Sequence, residues 1–347
     1  MTVGSGVIII AAAGGGVSSE VSVRIQNQQI SGEKIVKIAT LTVNPSVDAS
    51  VTVPHVSPDV KLRCSAPEYD PGGGGINVTR VMDRLGGECT ALWTCGGHTG
   101  GVLEDLLNRE GLSHRSLPIS GATRENWMVF EKETGRQYRF VAPGPELTSD
   151  EADGILKEIE TLEPAPDYLV ISGSLPDGVG ANYYARVVDA VPETTRVVLD
   201  ASGVELQAAL ERGVYLVAPN LREMGQIAGR EMEDDADIIE VSRGMIGEGQ
   251  AEVVVTTLGA GGAVLVTRDM AEHLRTPTVP VNSKVGAGDS MTAGIVLGLA
   301  NEQTLPKAVT LGNAAAAATV MTPGTKLCRP DDVKQLYRDM LEIHDIE

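Results

Sequence analysis

The segment Val285-Gly286-Ala287-Gly288-Asp289-Ser290 holds the residue types best suited to chemistry in this chain. It follows a loop and opens a helical pattern with apolar positions at Met291, Ile295 and Leu299. Glycines let successive N–H groups turn toward one point, and a helix start adds partial positive charge there, so the segment suits an anion. A carboxylate at Asp289 beside that anion is costly unless it takes a proton from the group attacking the anion. On spacing alone the commoner role for such an Asp is a helix cap. A second glycine run, Gly72 to Gly75, ends in Ile76-Asn77 and marks backbone that must approach something closely. Asp48 lies shortly after Pro45 and has the position of a turn residue, while Asn220 and Glu223 have the spacing of a capping box. Four cations, Lys61, Arg63, Arg124 and Arg139, fall in two stretches that share an unusual character, described next.

Positioning these groups requires a scaffold, and from Ile35 onward β-rich and helix-period segments alternate. Strands are expected at Val36–Val43, Tyr168–Ile171, Val197–Leu199, Val214–Val217, Val253–Thr257 and Ala263–Thr267, all rich in β-branched residues. Val78, Val81, Met82 and Leu85 fall at i, i+3, i+4 and i+7 of a helix, as do Val333, Leu336, Tyr337, Met340 and Leu341 near the end. Ser149 reads as an N-cap, with Asp150 and Glu151 in the first turn before Ile155, Ile159 and Leu162. Such alternation predicts a mostly parallel sheet covered by helices on both faces, with ligands at the carboxyl ends of the strands. Ser46–Tyr69 and Thr123–Val141 break the pattern as strands without helices, and together they predict a small projecting sheet.

The 347 residues are 42% hydrophobic and 22% charged, which excludes a largely disordered or fibrous chain. With 28 basic against 47 acidic residues the net charge is −19, a field that repels nucleic acid and anionic membrane surfaces. Aromatic residues at 3% leave little with which to stack bases. Four cysteines (Cys64, Cys89, Cys95, Cys328) form no CxxC pair and the five His form no HExxH, so zinc has no support and reduced thiols in a cytoplasmic setting are expected. The first strand leads into Asn44-Pro45-Ser46 without a GxGxxG turn, and no Gly-Lys dipeptide exists, which disfavours dinucleotide and P-loop sites. Val7–Ala13 is apolar, yet no Lys or Arg precedes Arg24, so a secretory signal is not expected, and no apolar run reaches membrane-spanning length.

Several of these motifs occur in the order used by the ribokinase-like carbohydrate kinases, the PfkB family, and the chain resembles that family from about Val36 to Leu341. Pro71-Gly72-Gly73-Gly74-Gly75-Ile76-Asn77 resembles its N-terminal glycine signature and Val285–Asp289 its C-terminal one. Asn220-Leu221-Arg222-Glu223 resembles the NxxE element, Thr257-Leu258-Gly259 the approach to the nucleotide loop, and Ser172-Gly173-Ser174-Leu175-Pro176 the sugar-side strand end. The resemblance implies a three-layer α/β sandwich with a mostly parallel central sheet and a small β-sheet lid. Residues 36–347 would form the kinase domain, with lid strands at approximately 46–70 and 123–141, and residues 1–35 an extension expected to be disordered.

Four glycines followed by Ile-Asn, with Lys61-Leu62-Arg63-Cys64, Thr123-Arg124, Gln137–Val141 and Gly324–Cys328, resemble the 6-phosphofructokinase branch of the family. Tagatose-6-phosphate and fructose-1-phosphate kinases, the nearest rivals, often carry Lys at the Gly74 position. A silent sugar-phosphate sensor is disfavoured by intact Asp289, Asn220 and Glu223, although Ala218 stands where the family often has a phosphate-contacting Lys. The resemblance implies that Asp289 takes the proton of the sugar C1 hydroxyl, with Gly286, Ala287 and Gly288 as the anion hole. It further implies that Asp48, Gly73, Gly74, Asn77 and Ser174 hold fructose 6-phosphate, that Arg124 and Arg139 meet its phosphate, and that Lys61 bridges sugar and γ-phosphate. Asn220 and Glu223 would order Mg2+ through waters, and Thr257, Gly259, Gly261 and Gly262 would line the ATP side. Backbone near Ser283, Val285, Thr319, Thr322 and Gly324 would hold K+, and two copies would pair through their lids.

Overall fold

The structure, a computed structural model, describes residues 36–344, so the expectation for residues 1–35 lies outside the described residues. Nine strands make one sheet: β1 (Ile38–Thr42), β4 (Thr90–Cys95), β5 (Ser113–Pro118), β8 (Tyr168–Ser172), β9 (Arg196–Asp200), β10 (Val214–Val217), β11 (Ala251–Thr257), β12 (Ala263–Val266) and β13 (Ala271–Leu274). Their order is β13-β12-β11-β10-β9-β8-β1-β4-β5, and every pair is parallel except β11–β12 and β12–β13. Four more, β2 (Ser46–Val53), β3 (Glu68–Gly72), β6 (Arg124–Glu131) and β7 (Gln137–Phe140), form a separate sheet in the order β3-β2-β6-β7.

Helices cover both faces of the large sheet, as the β-strand alternation requires. One face carries α1 (Gly74–Arg84), α8 (Ala287–Ala300), α9 (Leu305–Val320) and α10 (Pro330–Ile343), packed through Val78, Met82, Met291 and Ile295 on Val170, Val198 and Leu216. The other carries α3 (Ser149–Glu160), α4 (Tyr183–Ala190), α5 (Gly203–Leu210), α6 (Leu221–Ala228) and α7 (Asp235–Gly247), packed on Leu169, Ile171, Leu199 and Val217. Adjacent strand residues such as Val170 and Ile171 thus enter different cores, which is why these strands read as continuous apolar runs. Helix α2 (Gly97–Glu110) packs Leu103 and Leu107 on Trp93 and Val47, joining the small sheet to the large one.

Two details differ from the sequence expectation. The cap of α3 is Thr148, not Ser149: its hydroxyl accepts from Glu151 N while Glu151 accepts from Thr148 N, a complete capping box. Strands β4, β5 and β13 were not signalled, because β5 and β13 are polar edge strands and β4, Thr-Ala-Leu-Trp-Thr-Cys, lacks the run of Val and Ile that marks the other buried strands. No helix among the described residues is long and apolar enough to cross a membrane.

Candidate active site

The carboxyl ends of β1, β8 and β9 meet where the chain order of the sheet reverses, the place where open α/β sheets bind ligands. Opening there is a cleft of about 380 Å³ lined by Asp48, Gly73, Gly74, Asn77, Arg124, Arg139, Ser174, Glu223, Val285, Gly286 and Asp289 from the sequence analysis. It also takes in Ser172 of the sugar-side motif, and Ser46, Asn126, Asp200, Ser202 and Lys284, which sequence reasoning did not single out.

Helix α8 brings its N-terminus to this cleft. Its cap is Gly286, at φ 76° in the left-handed region, and no side chain satisfies the first-turn N–H groups. Ala287, Gly288 and Asp289 are therefore the first three helical residues, whose N–H groups have no partner within the helix. A Cβ at Gly288 would meet open space. Asp289 does not cap the helix, which disposes of the commoner reading of that residue. Its Oδ2 instead accepts from Asn77 Nδ2 at 2.9 Å, and its Oδ1 lies 3.5 Å from Ser172 Oγ.

Burial raises the proton affinity of Asp289, Asn77 and Ser172 lower it in part, and Asp48 raises it again. Asp200, at the end of β9, is raised by burial and then by Asp289 and Glu223, with Thr292 and Ser172 hydroxyls donating to it at 3.2 and 3.3 Å. Glu223 is raised chiefly by burial. Crowded carboxylates of this kind suit a hard divalent cation, which relieves their repulsion. No three His, Cys, Asp or Glu side chains among the described residues are grouped to hold a metal unaided. Mg2+ is typically held by one or two carboxylates with substrate phosphates, so the residues present fit a metal that arrives with a nucleotide.

The small sheet supplies the opposite wall. Asp48 Oδ1 on β2 accepts from Ser46 Oγ at 2.7 Å and Asn126 Nδ2 at 2.9 Å. Arg124 on β6 donates to the carbonyls of Asn44 (3.0 Å) and Ala142 (3.3 Å), while its buried Nε has no partner among the described residues. That guanidinium faces no paired carboxylate and is free to take an anion. The glycine run is shaped largely by the protein itself. A Cβ at Gly72 would stand 2.5 Å from Asp48 Oδ2 and Ser46 Oγ, one at Gly74 would strike Ser172 Oγ, and Gly73 has φ 117°. These contacts seat α1 against the ends of β2 and β8, so the glycines are needed before any ligand is considered.

Other expected residues lie elsewhere. Lys61 is exposed in the 54–67 connection beyond the end of β2 and does not line the cleft, because that connection runs out from the sheet's far end. Asn220 is used in the capping box of α6, accepting from Glu223 N at 3.0 Å while Glu223 accepts from Asn220 N at 2.9 Å. Glu223 alone of the pair reaches the cleft. Thr257, paired with Asn220 in an isolated bridge, and Gly259, Gly261 and Gly262 in the turn after β11 lie outside the cleft. Ser283, Thr319 and Thr322 are buried behind α8, where Ser283 N donates to Val320 O and Thr322 Oγ1 to Thr319 O. Gly324 lies in the turn that follows and lines a different cavity.

A half-buried carboxylate at the mouth of an uncapped helix, across a cleft from a second carboxylate and a guanidinium on a small β-sheet, is an arrangement suited to a phosphotransferase acting on a small polyhydroxy substrate. Residues 33–332 match the family described as pfkB family carbohydrate kinase. The ATP-dependent 6-phosphofructokinase isozyme 2 of Mycobacterium tuberculosis is 44% identical over 302 residues, spanning 87% of this chain and 89% of that protein. Phosphofructokinase-2 from Escherichia coli in complex with fructose-6-phosphate superposes with TM-score 0.83 at 37% identity, covering 88% of this chain and 99% of that one. The same enzyme in complex with potassium gives 0.84 at 38% with equal coverage. Ribokinase from Thermotoga maritima, 19% identical with TM-score 0.71 over 87% of this chain and 99% of its own, shares the fold. The chain belongs to the pfkB family of carbohydrate kinases and has its ribokinase-like fold.

Proposed function

We propose that the protein is an ATP-dependent 6-phosphofructokinase, which passes the γ-phosphoryl group of ATP to the C1 hydroxyl of fructose 6-phosphate and releases fructose 1,6-bisphosphate and ADP. The observation that carries this reading is Asp289, half-buried at the third position of an uncapped helix, held by Asn77 rather than spent on the helix. The names and bound ligands of the relatives at 37–44% identity support the choice of sugar phosphate.

In this reading Asp48 accepts from sugar hydroxyls through its free Oδ2, and Arg124 takes the 6-phosphate. Asp289 removes the C1 hydroxyl proton as that oxygen bonds to the γ-phosphorus and the bond to the β,γ-bridging oxygen breaks. The charge spread over the equatorial oxygens falls to the N–H groups of Ala287, Gly288 and Asp289. Bound Mg2+ would neutralise the triphosphate, with Glu223 and Asp200 as its protein-side carboxylates. Lys284, exposed beside Val285, is the cation of this wall suited to the nucleotide phosphates.

Two further features extend the reading. The carbonyls of the paired 282–286 and 319–324 loops suit a monovalent cation, and the Escherichia coli relative is known in complex with potassium. Tyr69, Ala49, Trp127 and Phe140 align across the small sheet, with Tyr69, Trp127 and Phe140 at 44%, 39% and 60% exposure, an apolar row that a partner lid would cover. Equal rates in potassium, sodium and choline buffers would remove the first, and a fully active monomer by light scattering the second. The main test is a coupled ADP-release assay with MgATP against fructose 6-phosphate, fructose 1-phosphate, tagatose 6-phosphate and fructose. Fructose 6-phosphate should have the highest kcat/KM; preference for another sugar phosphate overturns the substrate, and no turnover of any overturns the reading.

A further inference from the structure

Arg80 lies one turn after Asn77 on α1 and is 2% exposed, one of the largest fully buried side chains among the described residues. Its Nε and Nη2 donate to the Glu110 carboxylate at the end of α2, at 2.9 and 2.7 Å. Its Nη1 donates to Pro71 O at 3.0 Å and to Asn77 Oδ1 at 3.4 Å. Nη2 also stands 3.6 Å from Asp70 Oδ1 on β3, and Asp70 Oδ2 accepts from Thr325 Oγ1 at 2.6 Å. One guanidinium therefore touches α2, the strand leading into the glycine run, and the residue that contacts the base.

A carboxamide has two nearly isosteric orientations, and its neighbours select between them. Arginine has only donors, so the atom of Asn77 that faces it must be the oxygen. With Oδ1 committed to Arg80, Nδ2 faces Asp289 and donates to its carboxylate. Turned the other way, the amide would set an oxygen against that carboxylate and lose both hydrogen bonds. We propose that Arg80 is a positioning residue for phosphoryl transfer: it locks the Asn77 carboxamide so that the base always receives a hydrogen bond, and it ties that lock to β3. Asp289 is then kept ionised against the burial that opposes it. Glu110 holds the guanidinium in plane, and the Pro71 carbonyl fixes it to the strand that precedes Gly72.

This inference rests on Asp289 being the base, and its test separates the two. Protein labelled with 13C at the aspartate side-chain carboxyls would be titrated by NMR, with the Asp289 signal assigned by its loss in D289N, alongside the pH dependence of kcat/KM. R80K keeps the charge but not the fork, and E110Q loosens the fork from outside the cleft. Losing the donor disfavours the ionised carboxyl, so R80K should raise the Asp289 midpoint by about half a unit or more. The acid limb of kcat/KM should move up with it, giving a loss of about twofold or more near pH 6 that grows toward about threefold at lower pH and closes above about pH 8. E110Q should shift the midpoint in the same direction by less. In an N77A background, R80K should leave the midpoint where N77A alone puts it.

A lowered melting temperature with midpoint and acid limb unmoved in both R80K and E110Q would show Arg80 to be purely structural. An equal R80K shift with and without Asn77 would show a direct charge effect and overturn the carboxamide lock. The NMR titration reads the lock whether or not the protein phosphorylates fructose 6-phosphate, so loss of the functional reading would leave this test standing.

Discussion

Gly294→Ala tests whether the catalytic carboxylate owes its position to helix packing rather than to local hydrogen bonds. Helices α8 and α9 approach so closely that a Cβ at Gly294 would lie 2.7 Å from Gly312 Cα and 2.8 Å from both Gly312 N and Leu311 O. Ordinary contact begins at 3.4 Å, so the helices must part or slide by about 0.7 Å, and backbone on backbone cannot yield by changing rotamer. Overpacking of this kind costs about 1–3 kcal/mol, against which the better helix propensity of alanine returns up to ~1 kcal/mol. A net loss of about 1–2 kcal/mol lowers the melting temperature by roughly 1.5–3 °C in a domain of this size. Asp289 is on the same helix, five residues earlier, and Ser290 Oγ shares a 2.7 Å hydrogen bond with Thr319 Oγ1 of α9, so displacement reaches the cleft. Misplacing a reacting group by most of an ångström costs on the order of 10- to 100-fold in kcat. Melting by differential scanning fluorimetry and steady-state kinetics would be read beside Gly154→Ala, where a Cβ meets nothing within 4 Å on α3, so that kcat should hold while melting rises slightly with the better helix propensity of alanine. Parental melting and kcat in the Gly294 variant would mean that α8 has slack and that this contact does not set the base.

Asp289→Asn should fold and lose on the order of 10²–10⁴ in kcat, the usual worth of a general base. Its stability should show a definite sign: burial holds the carboxyl above its ordinary value, so the folded protein binds that proton more tightly than the unfolded chain. Parental stability therefore falls as pH rises from the unfolded pKa to the folded one, a loss the Asn variant lacks. The variant should melt above the parent at pH 8 and level with it near pH 4; the reverse order would mean that the carboxyl is not penalised by burial. Arg124→Ala should raise KM for the sugar phosphate about tenfold or more with little change for MgATP, and an unchanged sugar KM would place the phosphate elsewhere. Lys284→Ala should do the opposite, raising KM for MgATP several-fold and sparing the sugar. Equal effects on both substrates would take Lys284 out of the nucleotide site.

The parts of the site that were legible in the sequence are those encoded by a local constraint. Gly286 must adopt a left-handed conformation at a helix start, and the run from Gly72 must pass beneath Ser46, Asp48 and Ser172, so both leave glycines that a reader can see. Buried parallel strands such as Val214–Val217 declared themselves as continuous apolar runs. Asp200 did not, because an acidic residue closing a strand looks like the start of a turn; its meaning comes from Asp289 and Glu223, 89 and 23 residues away. Asn126 is functional only through the parallel register that sets it opposite Asp48. Arg80 carries no signal in the sequence, and only the meeting of α1, α2 and β3 shows that it is buried. Lys61 fell in a stretch read as strands, Ser46–Tyr69, whereas it lies in the 14-residue connection between β2 and β3, and no pattern encodes which way an irregular connection will lead.

Charge placement explains why a protein at −19 can accept two anionic substrates, and why it should demand one of them as a metal complex. On the proposed reading, sugar-phosphate recognition would fall on the small sheet, where Arg124 and Arg139 line the cleft and Asp48 is held by Ser46 and Asn126. The nucleotide side is built differently, with Asp289 and Glu223 adding to the cost of ionising the buried Asp200 and Lys284 as the nearby cation. A bare phosphate brought within about 4 Å of one such carboxylate would meet a repulsion of about 4 kcal/mol at an effective dielectric of 20, enough to weaken binding by nearly a thousandfold. A divalent cation between them reverses that sign. In this reading the same carboxylates that would exclude free triphosphate select its metal complex, and they do so next to Asp289, whose basicity comes from burial and the Asp48 charge and is offset in part by the Asn77 amide and the Ser172 hydroxyl. Free ATP should accordingly bind far more weakly than MgATP, and exchanging Asp200 for Asn should narrow that gap by strengthening the free form; a gap left unchanged would remove Asp200 from the selection.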